Sequence, residues 1–399
     1  MVLISALLRA KLTRLCVTLP MVAVAAGIAI GPAGLGVVRP DAWQVDPMRL
    51  LEEAARLVVA LSLMHIAIHL PAGYPKRGWR GTSILLFAGM PLMWALAALA
   101  GWLTLGDVGL LVVVLVTACC TPTDPVLSAT IVTGKLARRH LPTRVRHLVY
   151  AESAANDGLA YPFVFLPLLA LLNEPADAWG HWLTITLPWQ VVGATAIGLG
   201  LGLAAGYLQR VAGRRGWTES DDLTVMTLAL TLTVVAAMEL VETDSVLAVF
   251  AAGLGFRHLV SGQLEGQEET IQRVVLDLVQ LPTFVLLGAM LPWGLWYQWG
   301  WRGVAFGVLL LLVRRPPSVA LLLPWLRLTG QLRTWREAAF VGWFGPVGIA
   351  AIYYATLCRR ALGEGGEAVW ALVSLAVLAS VVLHGVTSYP LTRAFHGKR

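Results

Sequence analysis

The sequence predicts an all-α, polytopic membrane protein, and two observations carry that prediction. Of its 399 residues, 57% are hydrophobic and only 13% are charged, about half the charged fraction of a typical soluble domain. Apolar runs of about 20 residues, the length that crosses a hydrocarbon core, recur along the whole chain between short polar stretches. No remaining stretch is long enough for a soluble unit, so residues 1–399 are expected to form one transmembrane domain.

The positions of the apolar runs predict twelve spans. They lie near residues 17–35, 50–70, 82–104, 108–133, 147–172, 182–208, 222–241, 244–258, 271–293, 303–323, 337–357 and 367–390. Before the first span, the stub Met1–Leu8 is too short to cross, and it lacks the positive start and the cleavage site of a signal peptide.

The basic residues indicate how the chain is oriented. If the stub lies outside and the loops alternate, most of the 30 Lys and Arg residues fall in inside segments. The outside segments hold Arg39, Arg49, Arg302, Arg359 and Arg360. Because cytoplasmic loops carry the excess of Lys and Arg, the C-terminus is predicted to be cytoplasmic, in the inner (plasma) membrane. The formal net charge of +7 is then a topology signal and not a nucleic-acid surface.

Cysteine usage indicates no metal centre, disulfide framework or cofactor. The four cysteines show no ligand spacing and are interpreted as packing residues: Cys16, Cys119, Cys120 and Cys358.

Two other groups have a structural interpretation. The aromatic residues from Trp293 to Trp301 are placed in an outside connection, as an anchor at the headgroup level rather than a ligand cage. His65 and His69 share one helix face; packing or solvation at the helix end is favoured over pH sensing.

The first functional motif is Thr121–Pro125 (TPTDP), in the middle of an apolar run. Two prolines three residues apart remove backbone donors and clash with preceding carbonyls, so the helix should be interrupted there. Irregular backbone at membrane depth persists only where it lines a cavity. Carbonyls freed near Thr123 and the carboxylate of Asp124 are oxygen ligands of the kind small cations prefer. The alternative is a proline kink with a snorkelling acid, but Asp124 is too deep for that.

The second motif places two acids on the next span. In Ala151–Gly158 (AESAANDG), Ser153 and Asp157 share one helix face, whereas Glu152 points about 140° away from Asp157. Buried charges are costly at this depth, so each acid is expected to have its own role.

Arg315 lies deep in a late span, and a buried Arg needs a carboxylate partner. We therefore expect Arg315 to pair with Glu152, which leaves Asp157 without a basic partner.

The third motif, Trp343–Gly348 (WFGPVG), interrupts a late span as the first interrupts an early one. One interrupted span in each half is typical of transporters with inverted repeats and a binding site at the membrane midplane.

These residues resemble the electroneutral branch of the monovalent cation/proton antiporters, the bacterial NhaP type and the fungal plasma-membrane sodium/proton antiporters. The likeness is strongest over residues 123–163, where the Asn156-Asp157 pair is the hallmark of the branch. It continues in residues 244–255, Arg315-Pro316 and residues 340–346.

The resemblance implies about 12–13 transmembrane helices, inverted repeats, two crossed discontinuous helices and a homodimer. Core helices (about 82–172 and 303–390) would move against dimerisation or scaffold helices (about 17–70 and 182–293). The partners would be Na⁺, with Li⁺ or K⁺ as alternatives, protons and membrane lipids.

Each motif residue takes a role by the same resemblance. Asp157 would bind the cation or the proton, and Asp124, Ser153 and the Thr123 backbone would help. Residues with a structural role near the site would be Asn156, Glu152, Arg315, Pro125, Gly345 and Pro346.

The sequence departs from the resembled pattern in three places. The first helix is nearly missing, His69 stands where a Glu is frequent, and the chain stops at Arg399, so regulation by a cytoplasmic tail is not expected.

Exchange would follow from one buried carboxylate that holds either a proton or a cation, one for one. An ion channel or a pH or ion sensor of the same fold, without coupled exchange, is the alternative. An intramembrane aspartyl protease also uses two buried acids, but it needs a G-x-G-D motif. In this sequence Leu105–Asp107 lacks the first glycine of that motif, so no enzyme activity is expected.

Overall fold

The computed structural model describes residues 15–70, 74, 78–125, 127–128, 134–217, 222–264 and 269–395. Its first helices are α1 (Leu19–Ile30), α2 (Pro47–His69), α3 (Trp79–Thr104), α4 (Leu110–Cys119), α5 (Gly134–His140), α6 (Thr143–Leu172), α7 (Pro175–Arg214) and α8 (Asp222–Leu240). The later ones are α9 (Ser245–Leu264), α10 (Glu269–Ala289), α11 (Trp293–Val313), α12 (Pro316–Leu328), α13 (Trp335–Trp343), α14 (Ile349–Leu362) and α15 (Glu367–Ala394). The stub expected at Met1–Leu8 lies outside the described residues.

Six helical stretches within these ranges are long and apolar enough to cross a membrane: Trp79–Thr104, Thr143–Leu172, Pro175–Arg214, Leu223–Leu240, Trp293–Leu328 and Ile349–Ala394. Four shorter apolar helices accompany them, including α1 and α4. The described residues contain no β-strand. The prediction of an all-α, polytopic membrane protein is confirmed.

The connection that holds the aromatic residues from Trp293 to Trp301 is helical. Residues 293–299 form a short helix, and Gly300, with a φ of +51° and a ψ of −131°, separates it by a kink from the apolar part of α11. The rings of Trp293 and Trp296 contact at 5.2 Å between centroids, across one helical turn. Tyr297 and Trp301 are 90% and 77% exposed, which agrees with a lipid-facing or headgroup position.

Small residues bring α7 and α9 together. A Cβ at Gly198 or Gly202 would collide with the backbone of Ala248 or Ala252, so these helices touch main chain to main chain. Close approach through small residues is the usual way in which membrane helices associate. The helix α9 of this pair also packs against α6.

Two chain breaks lie at the centre of the fold. The first follows α4, at residues 121–124, and the second separates α13 from α14, at residues 344–348. They meet directly, because the backbone N–H of Asp124 donates to the carbonyl of Pro346 at 2.8 Å. The interruptions expected from the prolines are therefore present, and they meet as the resemblance implies.

Candidate ion-binding site

Asp124 joins the two helix beginnings at the crossing. Its Oδ1 accepts from the N–H of Leu127 at 3.0 Å, and its Oδ2 accepts from the N–H of Ile349, the first residue of α14, at 2.6 Å. A helix N-terminus carries a partial positive charge, which a carboxylate stabilises. Gly348 makes this possible, since a Cβ there would collide with the carboxylate. Asp124 is 2% exposed, so the crossing has a buried carboxyl group at its centre.

Arg314 binds backbone carbonyls at the C-terminal ends of the two interrupted helices, α4 and α13. Its guanidinium donates to the carbonyls of Thr121 at 2.9 Å and Pro122 at 3.1 Å, and also to those of Cys120 and Gly345. These carbonyls belong to the residues that follow α4 and to the break after α13, where the partial charge is negative. Arg314 therefore takes the carbonyls just before Thr123, and the cation role of the Thr123 backbone stays a prediction.

Arg315 and Glu152 form the pair expected from the sequence. The bond is bidentate, with Nη1 to Oε1 at 2.9 Å and Nη2 to Oε2 at 2.7 Å, and each side chain is 1% exposed. Arg315 Nε also donates to the carbonyl of Val341 at 3.0 Å. Parallel N–H donors satisfy both charges, so the pair ties α6 to the second interrupted helix.

Asn156 holds the first break in place. Its side-chain oxygen accepts from the backbone N–H of Thr123 at 3.0 Å, and its Nδ2 donates to the Thr123 hydroxyl at 2.7 Å. The same amide donates to Glu152 Oε1 at 2.9 Å. The Thr123 hydroxyl donates to Ser153 Oγ at 3.1 Å, and Ser153 donates to Ser128 at 3.3 Å. Pro125 opens the helical turn that follows the break.

Asp157 lies outside this network. The side chain is fully buried, and neither carboxylate oxygen has a hydrogen-bond partner. The Tyr354 hydroxyl donates to the backbone carbonyl of Asp157 at 3.0 Å and leaves the carboxylate free. The charges of Asp124 and Glu152 act on it, whereas the two arginines are committed elsewhere. An unpaired carboxylate at this depth requires a proton or a cation.

Two supporting residues were missed by the sequence analysis. Ser380 accepts from the backbone N–H of Val347 at 2.8 Å, and His384 Nε2 lies 2.9 Å from the carbonyl of Trp343. Both belong to α15 and satisfy backbone groups freed by the second break. A Ser and a His four residues apart in an otherwise apolar span were the available signal.

His65 and His69 lie away from the crossing. Their rings are 4.3 Å apart, and His69 Nδ1 lies 2.7 Å from the carbonyl of His65. His65 lines a separate crevice with Thr224 and Thr231. The structure does not bring either histidine to Asp157.

Crossed interrupted helices around an unpaired buried carboxylate define a class, the secondary transporters with a midplane ion site. The sodium/hydrogen exchanger family model (transmembrane region) matches residues 1–394, and the chain belongs to this family. The resemblance noted from the motifs is confirmed.

Fungal relatives and a solved structure agree with this assignment. The chain is 29% identical to Na(+)/H(+) antiporter 2 of Zygosaccharomyces rouxii, over 92% of this chain and 48% of that protein. It is 28% identical to the Na(+)/H(+) antiporter of Schizosaccharomyces pombe, over 92% of this chain and 82% of that protein. The chain spans about half the length of several relatives that it matches.

The fold is shared with the sodium proton antiporter MjNhaP1 of Methanocaldococcus jannaschii. The TM-score is 0.72 at 17% identity, covering 100% of this chain and 97% of that one.

Proposed function

We propose that this protein is a secondary antiporter that exchanges Na⁺, with Li⁺ or K⁺ as alternatives, for protons across the membrane, one for one. The observation that carries the proposal is the state of Asp157, which is buried with both oxygens unpartnered. Relatives named as Na(+)/H(+) antiporters, which align with nearly the whole chain, support the choice of cargo.

The exchange follows from competition for one carboxylate. Burial in a medium of low dielectric disfavours the bare anion, so Asp157 holds either a proton or a dehydrated cation. Either cargo neutralises the site, and the neutral site crosses between the two membrane faces. The empty, charged site is too costly to move through the apolar barrier.

The neighbours have unequal roles in this cycle. Ser153 and Thr123 offer hydroxyl oxygens on the same side of α6 as Asp157, and Asp124 contributes its charge while its oxygens cap the two helices. Asn156 positions Thr123. The ion pair of Glu152 with Arg315, and the break at Gly345 and Pro346, fix the crossing itself.

The assembly and orientation belong to the same proposal. Core helices (about 82–172 and 303–390) move against a dimerisation scaffold (about 17–70 and 182–293) within a homodimer. Basic residues cluster in the segments that include Arg138, Arg139 and Arg144, which supports a cytoplasmic C-terminus in the plasma membrane.

Purified protein in liposomes tests the exchange. Vesicles loaded with NaCl and diluted into choline chloride should acidify inside, because Na⁺ leaves as protons enter, and a trapped pH dye reports the change. The wild type should show saturable exchange that persists when potassium and valinomycin clamp the voltage at zero. Flux of Na⁺ without proton movement would instead indicate a channel.

The variant Asp157→Asn should reduce the rate of internal acidification at least about 100-fold, since an amide neither exchanges a proton nor attracts a cation. Asp107→Asn, at an exposed carboxylate between α3 and α4, is the matched control and should behave like the wild type. Proton movement that follows the Na⁺ gradient in Asp157→Asn vesicles would refute the assignment of the site.

A further inference from the structure

A second buried carboxylate, Asp244, has an oxygen that the fold does not use. The side chain is 2% exposed and lies just before the first residue of α9. Its Oδ1 accepts from the backbone N–H of Val246 at 2.9 Å, whereas Oδ2 has no hydrogen-bond partner. No Arg, Lys or His of the described ranges forms an ion pair with it. Capping a helix needs one oxygen, so the second is unexplained.

Three tyrosines lie within electrostatic range of Asp244: Tyr161, Tyr353 and Tyr354. Two of them also lie close to Asp157. Tyr161 lies one turn beyond Asp157 on the same face of α6, and Tyr354 donates to the backbone carbonyl of Asp157.

The helices themselves are in contact at this point. A Cβ added at Gly158 would lie 3.0 Å from the Cα of Leu247, so α6 beside Asp157 touches the first turn of α9. Asp244 therefore belongs to the neighbourhood of Asp157, although no contact links it to the crossing.

Polar groups continue from Asp244 towards the predicted outer face. The Tyr353 hydroxyl is also within reach of the charges of Arg56 and Glu52, near the start of α2. Glu52 forms an ion pair with Arg360, whose Nε and Nη2 lie 3.1 and 2.6 Å from the two carboxylate oxygens. Ionisable residues buried in a membrane protein mark ion pathways more often than packing surfaces. Asp244 and Glu52 are two such buried residues, in segments predicted to lie towards the outer face.

We propose that Asp244 is a second cation-binding carboxylate, which holds an entering or leaving alkali cation between Asp157 and the outer face. The inference rests on the proposed exchange function. A carboxylate oxygen replaces part of the hydration shell of a small cation, and the cation satisfies the oxygen that the helix cap leaves unused. The alternative is that Asp244 serves only as the N-cap of α9.

The variant Asp244→Asn separates these two roles. The amide oxygen still accepts from Val246, so the cap remains, but the charge that attracts a cation is lost. In oriented vesicles, Asp244→Asn should raise the apparent KM for Na⁺ at the outer face about tenfold, the factor of one charge-assisted contact, and change the inner KM less than about twofold. Glu242→Gln removes a charge from the exposed turn next to Asp244 and is the control, expected to match the wild type.

Outcomes with Asp244→Asn decide between a binding role and a cap. Unchanged kinetics at both faces, together with a lower melting temperature for Asp244→Ala alone, would show that Asp244 is a cap and overturn the proposal. Equal increases in KM at the two faces would overturn it as well, because they would place the effect at the shared site.

A binding measurement keeps the inference distinct from the exchange itself. In purified Asp157→Asn protein, which should not transport, NaCl should still raise the melting temperature relative to choline chloride. Adding Asp244→Asn should abolish that increase. If the wild type shows no exchange but this stabilisation is found, the proposed function fails and the site stands. If Na⁺ stabilises the single and double variants equally, the site fails whatever the exchange assay shows.

Discussion

Glu152 and Asp157 are two buried acids on the same helix, five residues apart, and their surroundings are opposite. Glu152 receives two N–H donors from Arg315 and one from Asn156. Asp157 receives none at either oxygen. Both side chains are almost completely buried, so burial does not distinguish them. The difference lies in partners supplied by the protein: one acid stabilises the fold, and the other is left for the cargo.

The contrast teaches that a buried charge is informative only together with its partners. A charge satisfied by its own chain can remain through every step of a cycle. A charge left unsatisfied makes the protein depend on something from outside. Asp124 lies between the two cases, because its oxygens accept from the backbone N–H groups of Leu127 and Ile349.

The largest effect on stability is expected from Arg315→Ala. Removing one partner of a buried pair leaves Glu152 charged and unpaired, which costs roughly 3–5 kcal/mol. Asp157→Asn should do the opposite and leave the free energy of unfolding unchanged or higher, because it removes an uncompensated charge. Thermal or denaturant unfolding in detergent measures both.

The control for Arg315→Ala is Arg359→Ala, which breaks a partly exposed pair with Glu367 at 3.1 Å. Such pairs contribute about 0–1 kcal/mol. Equal losses from Arg315→Ala and Arg359→Ala would contradict the structural role given to the buried pair.

A smaller effect is expected from Gly348→Ala. The added methyl group meets the Asp124 carboxylate, which must move away from the start of α14, at a cost of roughly 1–3 kcal/mol. Exchange should fall with it, since the crossing carries the site. Gly180→Ala is the control, because a Cβ there meets no heavy atom within 4 Å. Full activity and stability in Gly348→Ala would show that the cap is dispensable.

The smallest effect concerns an ion pair in water. Arg302 beside Asp107 lowers the pKa of that carboxyl below its usual range. A carboxyl whose pKa is lower in the folded than in the unfolded state stabilises the protein at pH values above the unfolded-state pKa of about 3.9. This stabilisation is lost as the pH falls through the folded-state pKa. Because Asp107 is exposed, Asp107→Asn should shift the acid limb of a melting-temperature profile barely or not at all. A large shift of the acid limb would mean that the pair of Arg302 and Asp107 stabilises the packing of α3 against α11.

Much of the crossing could be predicted from the sequence. The prolines at 122 and 125 and the Gly345-Pro346 pair carry their own backbone consequences, so the two breaks followed directly. The pairing of Arg315 with Glu152 followed from the cost of a lone buried charge. The division into core and scaffold helices, and the cargo role of each residue, stay predictions.

Other features were beyond the reach of the sequence. Arg314 binds backbone carbonyls, and a carbonyl leaves no trace in residue identity. Asp244 stands among polar residues before a helix, where it looks like an ordinary cap, and only the structure, in which α9 packs against α6, shows its burial. The helical form of the connection from Trp293 was also beyond the reach of the sequence, because Trp and Tyr suit headgroups equally well in a loop and in a helix.

The arginines and acids at the crossing have an electrical consequence. Among the charged residues described at the crossing, Arg314 and Arg315 balance Asp124 and Glu152, which leaves the charge of Asp157 for a single Na⁺ or a single proton to cancel. In the proposed cycle the crossing is then neutral with either cargo. A transmembrane potential, which does about 2.3 kcal/mol of work per charge per 100 mV, does none on a neutral site. Such a carrier responds to the two concentration ratios alone and runs equally well in an energised or a depolarised cell.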